Sequence, residues 1–217
     1  MYTLYYLPDA CSLATQVILH ELKQPVNIIN MQDVADFSSI NPVGSVPVLL
    51  NKKAVNKEAV NSATVNGQTS HREGAAIILH LLNTHKNTLL PTQGIERDHA
   101  IENIMFANAT MHPAYGRLFF INQYITDEAA KKEAYQAATA AINSLWLVVE
   151  NQLATQPFLG GESPSPAVIL LSVYARWGGS FPVDIQLGPN TQKMLAAVLE
   201  MPSFVRALAA EQKQSAA

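Results

Sequence analysis

Apolar residues recur in short blocks over the first 83 positions and at helical spacing from residue 95 onward. Thr3 to Leu7 is a brief apolar and aromatic run stopped by Pro8-Asp9, and it predicts a first strand. Cys11-Ser12 opens a segment with Leu13, Val17, Ile18 and Leu22 on one helical face. Pro25 ends that helix, and Val26 to Ile29 predicts a second strand. Gln32 to Ser39 reads as a short helix or irregular chain. Asn41-Pro42-Val43-Gly44 is turn chemistry, because Pro42 fixes φ and Gly44 permits a positive one. Val46-Pro47 and the apolar run Val48 to Leu50 follow, the latter a third strand. Asn51 to Arg72 is polar and holds one hairpin signal, Asn66-Gly67, between Ala63–Val65 and Gln68–Ser70. It reads as an enlarged hairpin leading to a fourth strand. Glu73-Gly74 then starts a helix with the stripe Ile77, Ile78, Leu81, Leu82. Strand, helix, strand, turn, strand is the order of a mixed sheet.

The rest of the chain predicts helices only. Ile95 to Tyr115 is one, disturbed at Pro113. Thr126 is the expected N-cap of a long Ala-rich helix reaching Leu153. Ser165-Pro166 reads as N-cap and N1 of a helix, Ala167 to Trp177, that is apolar nearly all round and so belongs at the centre of its domain. Thr191 to Glu200 and Ser203 to Gln212 follow, split by Pro202. The expected organisation is an α/β domain with a mixed four-stranded sheet over residues 1–83, a linker over 84–94, and an all-helical domain over 95–217.

Composition narrows the function classes. The 217 residues are 48% apolar and 14% charged, which is a globular balance. A net charge of −3 with no basic block argues against a nucleic-acid partner. No apolar run reaches the roughly 18–20 residues that span a bilayer. The first residues lack the basic and apolar regions of a signal peptide. Cys11, the single cysteine, has no partner for a disulfide within the chain. Together these favour the cytoplasm.

Three pieces carry candidate chemistry. Cys11 falls just after a strand at a helix N-terminus, where the dipole favours the thiolate and a pKa below the free value of about 8.5 is expected. Val46-Pro47 has two readings. With a cis bond the chain turns sharply and the Val46 N–H and C=O face outward, open to an extended peptide; otherwise it is a loop entering an edge strand. Glu73-Gly74 marks a second helix N-terminus, whose N–H groups can hold a carboxylate while the Glu73 side chain takes an ammonium. A thiol peptide with a free amino-acid head group, such as glutathione, satisfies all three.

Here the chain resembles a known family. Tyr2 to Leu13 is similar to the opening of bacterial beta-class glutathione transferases, Asn41 to Leu50 to their cis-proline loop, and Glu73-Gly-Ala-Ala-Ile77 to their γ-glutamyl site. Met111-His112 falls where that class carries an active-site histidine. Phe158-Leu-Gly-Gly161, Ser165 and Arg176-Trp177 resemble the loop and buried helix of its second domain. The resemblance implies a thioredoxin-like domain followed by an all-α domain, the glutathione transferase fold, and a homodimer. It implies attack of glutathione, as co-substrate, on a small hydrophobic electrophile. Cys11 would lie beside the glutathione sulfur, Val46 and Pro47 would meet the cysteinyl unit, Glu73 and Gly74 the γ-glutamyl head, and His112 would help set thiol ionisation. Tyr5 and Ser12 are alternative thiol partners. No metal is implied, and the remaining histidines form no ligand constellation.

Two departures accompany the match. Residues 31–39 contain no Lys or Arg for the glycyl carboxylate. Lys52, Lys53 or Lys57 of the insertion could replace it, or the insertion could cover the site. Val168 stands where the buried-helix capping box has an acid, so it cannot return a bond to Ser165. Besides transfer, two readings stay open: a glutathione-dependent thiol–disulfide reductase using a Cys11 mixed disulfide, and a non-catalytic binding protein.

Overall fold

The computed structural model describes residues 1–54, 64–65 and 68–215, with backbone alone for 52–54, 64 and 214–215. By contacts the chain forms two compact units, Met1–Thr88 with Pro202–Ala217, and Leu89–Met201.

The first unit contains strands β1 (Tyr2–Tyr6), β2 (Val26–Asn30), β3 (Val48–Ala54), β4 (Thr64–Val65) and β5 (Gln68–Arg72) in the order β2-β1-β3-β5-β4. β1 and β2 are parallel, and the other pairs are antiparallel. The four expected strands are present, with the two-residue β4 added at the edge. Val65 pairs with Gln68, as the hairpin reading requires; Asn66, Gly67 and Ala63 lie outside the described residues.

Alternation along the strands sends side chains to opposite faces. Tyr5, Val48 and Leu50 share one face with Phe37 and Ile40 from the chain between β2 and β3. That connection consists of two 3₁₀ turns, Met31–Asp33 and Phe37–Ser39. On the helical side lie α1 (Ser12–Glu21), buried from Ser12 to Leu19, and α2 (Gly74–Thr84), which buries Ile77, Ile78, Leu81 and Leu82. His71 of β5 stacks on His80 of α2, with ring centroids 3.9 Å apart.

The final helix, α8 (Pro202–Ser215), packs against α1 and joins this unit. The sequence pattern had grouped it with the helical domain. Periodicity shows that a helix buries one face, and does not show against what.

The second unit is helical: α3 (Ile95–Met105), α4 (His112–Tyr124), α5 (Glu128–Gln152), α6 (Pro166–Trp177) and α7 (Pro189–Leu199). A π-helical turn, Phe106–Met111, joins α3 to α4 just before Pro113. A proline within a helix lacks the N–H and crowds the carbonyl four residues back, and a wider turn relieves both. The cap of α5 is Asp127, whose carboxylate accepts the Ala130 N–H at 2.8 Å, one residue after the expected Thr126. α6 is buried from Pro166 to Tyr174 and forms the centre of this unit. Each of its large apolar side chains contributes about 1.5–3 kcal/mol by leaving water. Ser165 precedes it as N-cap, but its hydroxyl donates to the Leu159 carbonyl at 2.8 Å. It thereby ties α6 to a tight turn in which Phe158 and Gly161 exchange backbone bonds.

Candidate functional site

The first unit brings three sequence-selected segments into relation. Val46-Pro47 is cis, the first of the two readings. The turn before it is built as its residues dictate. Asn41 is buried; its amide donates to the Ser45 carbonyl at 2.7 Å and its carbonyl oxygen accepts the Val43 N–H at 3.3 Å. Gly44 lies at φ +72, a region costly for a side chain with a Cβ. Arg72 of β5 donates through Nη2 to the Ile40 carbonyl at 2.8 Å and holds the front of this loop. The Val46 N–H makes no hydrogen bond among the described residues.

Cys11 is the N-cap residue of α1 and is half-buried. Its thiol donates to the Val46 carbonyl, with Sγ 3.4 Å from the oxygen. Cys11 and the Val46 main chain are therefore adjacent. The expected low thiol pKa is corrected: burial pushes it up from 9.0 to about 11. The backbone N–H groups of Cys11 and Ser12 pull downward as a helix start should, and the Glu73 charge adds to the upward push. Desolvation of a thiolate outweighs a few oriented amides.

Glu73 caps α2 at φ +68, ψ 114, a conformation in which few residues with a side chain are found. Its side chain is exposed and makes no capping bond. Ile77 returns its N–H to the Glu73 carbonyl at 2.9 Å, so the Gly74 and Ala75 N–H groups belong to the open first turn. Strain of this kind persists where the surroundings enforce it and concentrates at binding sites.

Of the two alternative thiol partners, Ser12 has its hydroxyl engaged and Tyr5 packs its ring in the sheet. The Ser12 hydroxyl, fully buried, donates to the Leu7 carbonyl and accepts the Leu7 N–H, both at 3.3 Å, closing the turn between β1 and α1. Tyr5 sits in the core face of the sheet with its ring 5.7 Å from that of Phe37. His112 belongs to the second unit, at the start of α4, and stacks nearly parallel on Tyr174 with centroids 4.9 Å apart and against Trp177 at 5.3 Å. The side chains of Lys52 and Lys53, and all of Lys57, lie outside the described residues.

Sequence reading missed Arg72 and the bracing role of Asn41. Asn41 was visible as turn chemistry. Arg72 carried one signal, a lone cation immediately before Glu73.

None of the protein-family models matches this chain. A glutathione S-transferase of Xanthomonas campestris, GST-4.5, is 29% identical over 204 residues, which cover 89% of this chain and 92% of the relative. Among solved structures, the ternary complex of BphK, a bacterial glutathione S-transferase, superposes with a TM-score of 0.78 at 25% identity, over 97% of this chain and 99% of its own. A beta-class glutathione S-transferase of Sphingomonas chungbukensis gives 0.78 at 24% identity, over 96% and 98%. A sphingomonad glutathione S-transferase complexed with glutathione gives 0.78 at 23% identity, over 97% and 98%. The two units thus make up the glutathione transferase fold, with a thioredoxin-like sheet unit and a helical one. Its relatives and its fold point one way: this chain is similar to bacterial glutathione S-transferases and shares the fold of their beta class.

Proposed function

We propose that the protein transfers glutathione, as its thiolate, to small hydrophobic electrophiles. The observation that carries this reading is the Val46 main chain: an N–H without a partner among the described residues, beside a carbonyl that accepts only the Cys11 thiol, at 3.4 Å. A cysteinyl unit laid alongside as extended chain takes both groups, its carbonyl accepting the Val46 N–H and its N–H donating to the Val46 carbonyl. Cys11 is then free to turn its S–H toward the glutathione sulfur.

The raised thiol pKa suits that role. With its pKa near 11, Cys11 stays protonated at neutral pH and acts as donor, leaving glutathione as the nucleophile. A hydrogen bond to a charged acceptor contributes about 1.5–3 kcal/mol, which lowers the acceptor thiol's pKa by roughly one to two units. Glu73 takes the γ-glutamyl ammonium, and the first N–H groups of α2 take its carboxylate. His112 assists thiol ionisation, as the resemblance implies. With no cation in residues 31–39, the glycyl carboxylate costs the complex about 1–3 kcal/mol of a charge-assisted bond, so a weak affinity for glutathione is expected.

The reductase reading needs Cys11 itself to attack. A thiol titrating near 11 is ionised in only about one molecule in 10⁴ at pH 7, which argues against it. The reading includes a homodimer, as the resemblance implies, which size-exclusion chromatography tests by showing twice the monomer mass, and a cytoplasmic location, as the lone cysteine favours.

Calorimetric titration with glutathione and conjugation of an aryl halide test the main proposal. Wild type binds and conjugates, while Cys11→Ala binds with reduced turnover. If wild type does neither, both enzyme readings fail; binding without conjugation leaves the binding-protein reading.

A further inference from the structure

The last helix carries a carboxylate in an unusual place. Glu211 of α8 is 4% exposed. Its Oε2 accepts the Asp9 N–H at 3.1 Å, and its Oε1 accepts the Gln16 side-chain amide at 2.5 Å. Asp9 lies two residues before Cys11, in the left-handed region at φ +57. Gln16 is fully buried on α1, five residues after Cys11. A single carboxylate from the far end of the chain thus grips both sides of the segment that presents the thiol.

Burying a carboxylate carries a desolvation cost of several kcal/mol unless its oxygens are satisfied. Gln16 is oriented to satisfy it. With its NH₂ turned to Glu211, its own carbonyl oxygen is buried and has no hydrogen-bond partner among the described residues. The charge of Glu211 also reaches Tyr6 of β1, where it adds to burial in raising the phenol. The same short loop is closed from its other side by Ser12 on Leu7, and Ala10 donates back to the Leu7 carbonyl at 3.1 Å. Ala10 and Cys11 are also tied by their carbonyls to the N–H groups of Leu13 and Ala14, and Glu211 adds the hold on Asp9, where the path to Cys11 begins.

We propose that Glu211 is a positioning residue for Cys11, fixing the Asp9–Cys11 loop so that the sulfur is held against the Val46 edge where the glutathione thiol is to lie. This rests on the reading of Cys11 as the residue beside that thiol.

The test uses the full chain and compares Glu211→Ala, Glu211→Asp and Glu211→Gln. Cys11 is the single cysteine, so iodoacetamide uptake reports on it alone. In Glu211→Ala the loop loosens, the thiol gains water, and its titration moves from about 11 toward 9.0. Alkylation at pH 8 then rises by about tenfold for each unit of that shift. The KM for glutathione rises severalfold in the same variant. Glu211→Gln restores both toward wild type, because the introduced carbonyl still accepts from Asp9 and Gln16 can turn its unpartnered oxygen to the introduced NH₂. Glu211→Asp, too short to reach both partners, gives an intermediate profile even if the alanine variant does not fold. A carboxylate that only stabilises the fold lowers the melting temperature and leaves the alkylation pH profile of folded protein unchanged. That result, or failure of Glu211→Gln to rescue, overturns the proposal. Alkylation needs no glutathione, so loss of the transferase reading and loss of this one are separately visible.

Discussion

Replacing Glu73 by glycine separates what this residue does for the fold from what it does for the ligand. Glu73 holds φ +68, ψ 114, yet its side chain is exposed and caps nothing. A residue with a Cβ held outside the usual regions costs about 1–3 kcal/mol. Glycine removes that cost and adds about 0.5–1 kcal/mol of backbone entropy to be lost on folding. The net expectation is a gain of about 1 kcal/mol, or roughly 2–4 °C in melting temperature for a chain of this size. Binding moves the other way. Losing a carboxylate–ammonium contact costs about 1.5–3 kcal/mol, so glutathione affinity falls about ten- to a hundredfold. Glu73→Gln is the control: it keeps the strained backbone, so its melting temperature stays at the wild-type value while its affinity drops. Thermal melts followed by circular dichroism and glutathione titrations on the three proteins give both numbers. A Glu73→Gly protein that melts lower than wild type refutes the strain argument, and one that binds glutathione as tightly refutes the head-group assignment.

Three other outcomes follow from the same geometry. The unfolded chain loses the Cys11 proton near 9.0 and the folded one near 11, so the thiol's contribution to stability is complete below pH 9 and is lost as pH rises to 11; urea midpoints should fall across that window more in wild type than in Cys11→Ala. Tyr115→Phe removes the acceptor of the buried Trp146 indole N–H, now 2.9 Å from the Tyr115 oxygen, and should cost about 1–3 kcal/mol in urea unfolding followed by tryptophan fluorescence. Asn41→Ala removes both braces of the turn before Val46, so a loss of about 1–3 kcal/mol in stability should come with a higher KM for glutathione, read from unfolding and from steady-state kinetics.

Much of the scaffold was legible in the chain because its determinants are local. Asn41-Pro-Val-Gly44 specifies a turn by φ alone, and the turn is there with Gly44 at +72. Ser165-Pro166 specifies a helix start, and α6 begins at Pro166. The apolar stripe from Ile77 to Leu82 specifies a buried helix face, and α2 buries it. Cys11 and Val46 are each singled out by type and position, and the fold puts the Cys11 sulfur 3.4 Å from the Val46 carbonyl oxygen.

The remaining properties depend on groups remote in sequence. A position at a helix start predicts a depressed thiol pKa, since oriented amides are near-neighbour effects. The thiol is instead raised, because desolvation depends on every group that folds around it and because Glu73, 62 positions on, adds its charge. The hydroxyl of Ser12 looked available until β1 placed the Leu7 backbone against it. The last helix showed an amphipathic pattern that fits many partners, and only folding set it on α1 with Glu211 gripping Asp9 and Gln16. Local dihedral preference and periodicity act within a few residues and so can be read from the chain. Burial, charge and hydrogen-bond partnership are sums over space, and space is assigned only when the chain has folded.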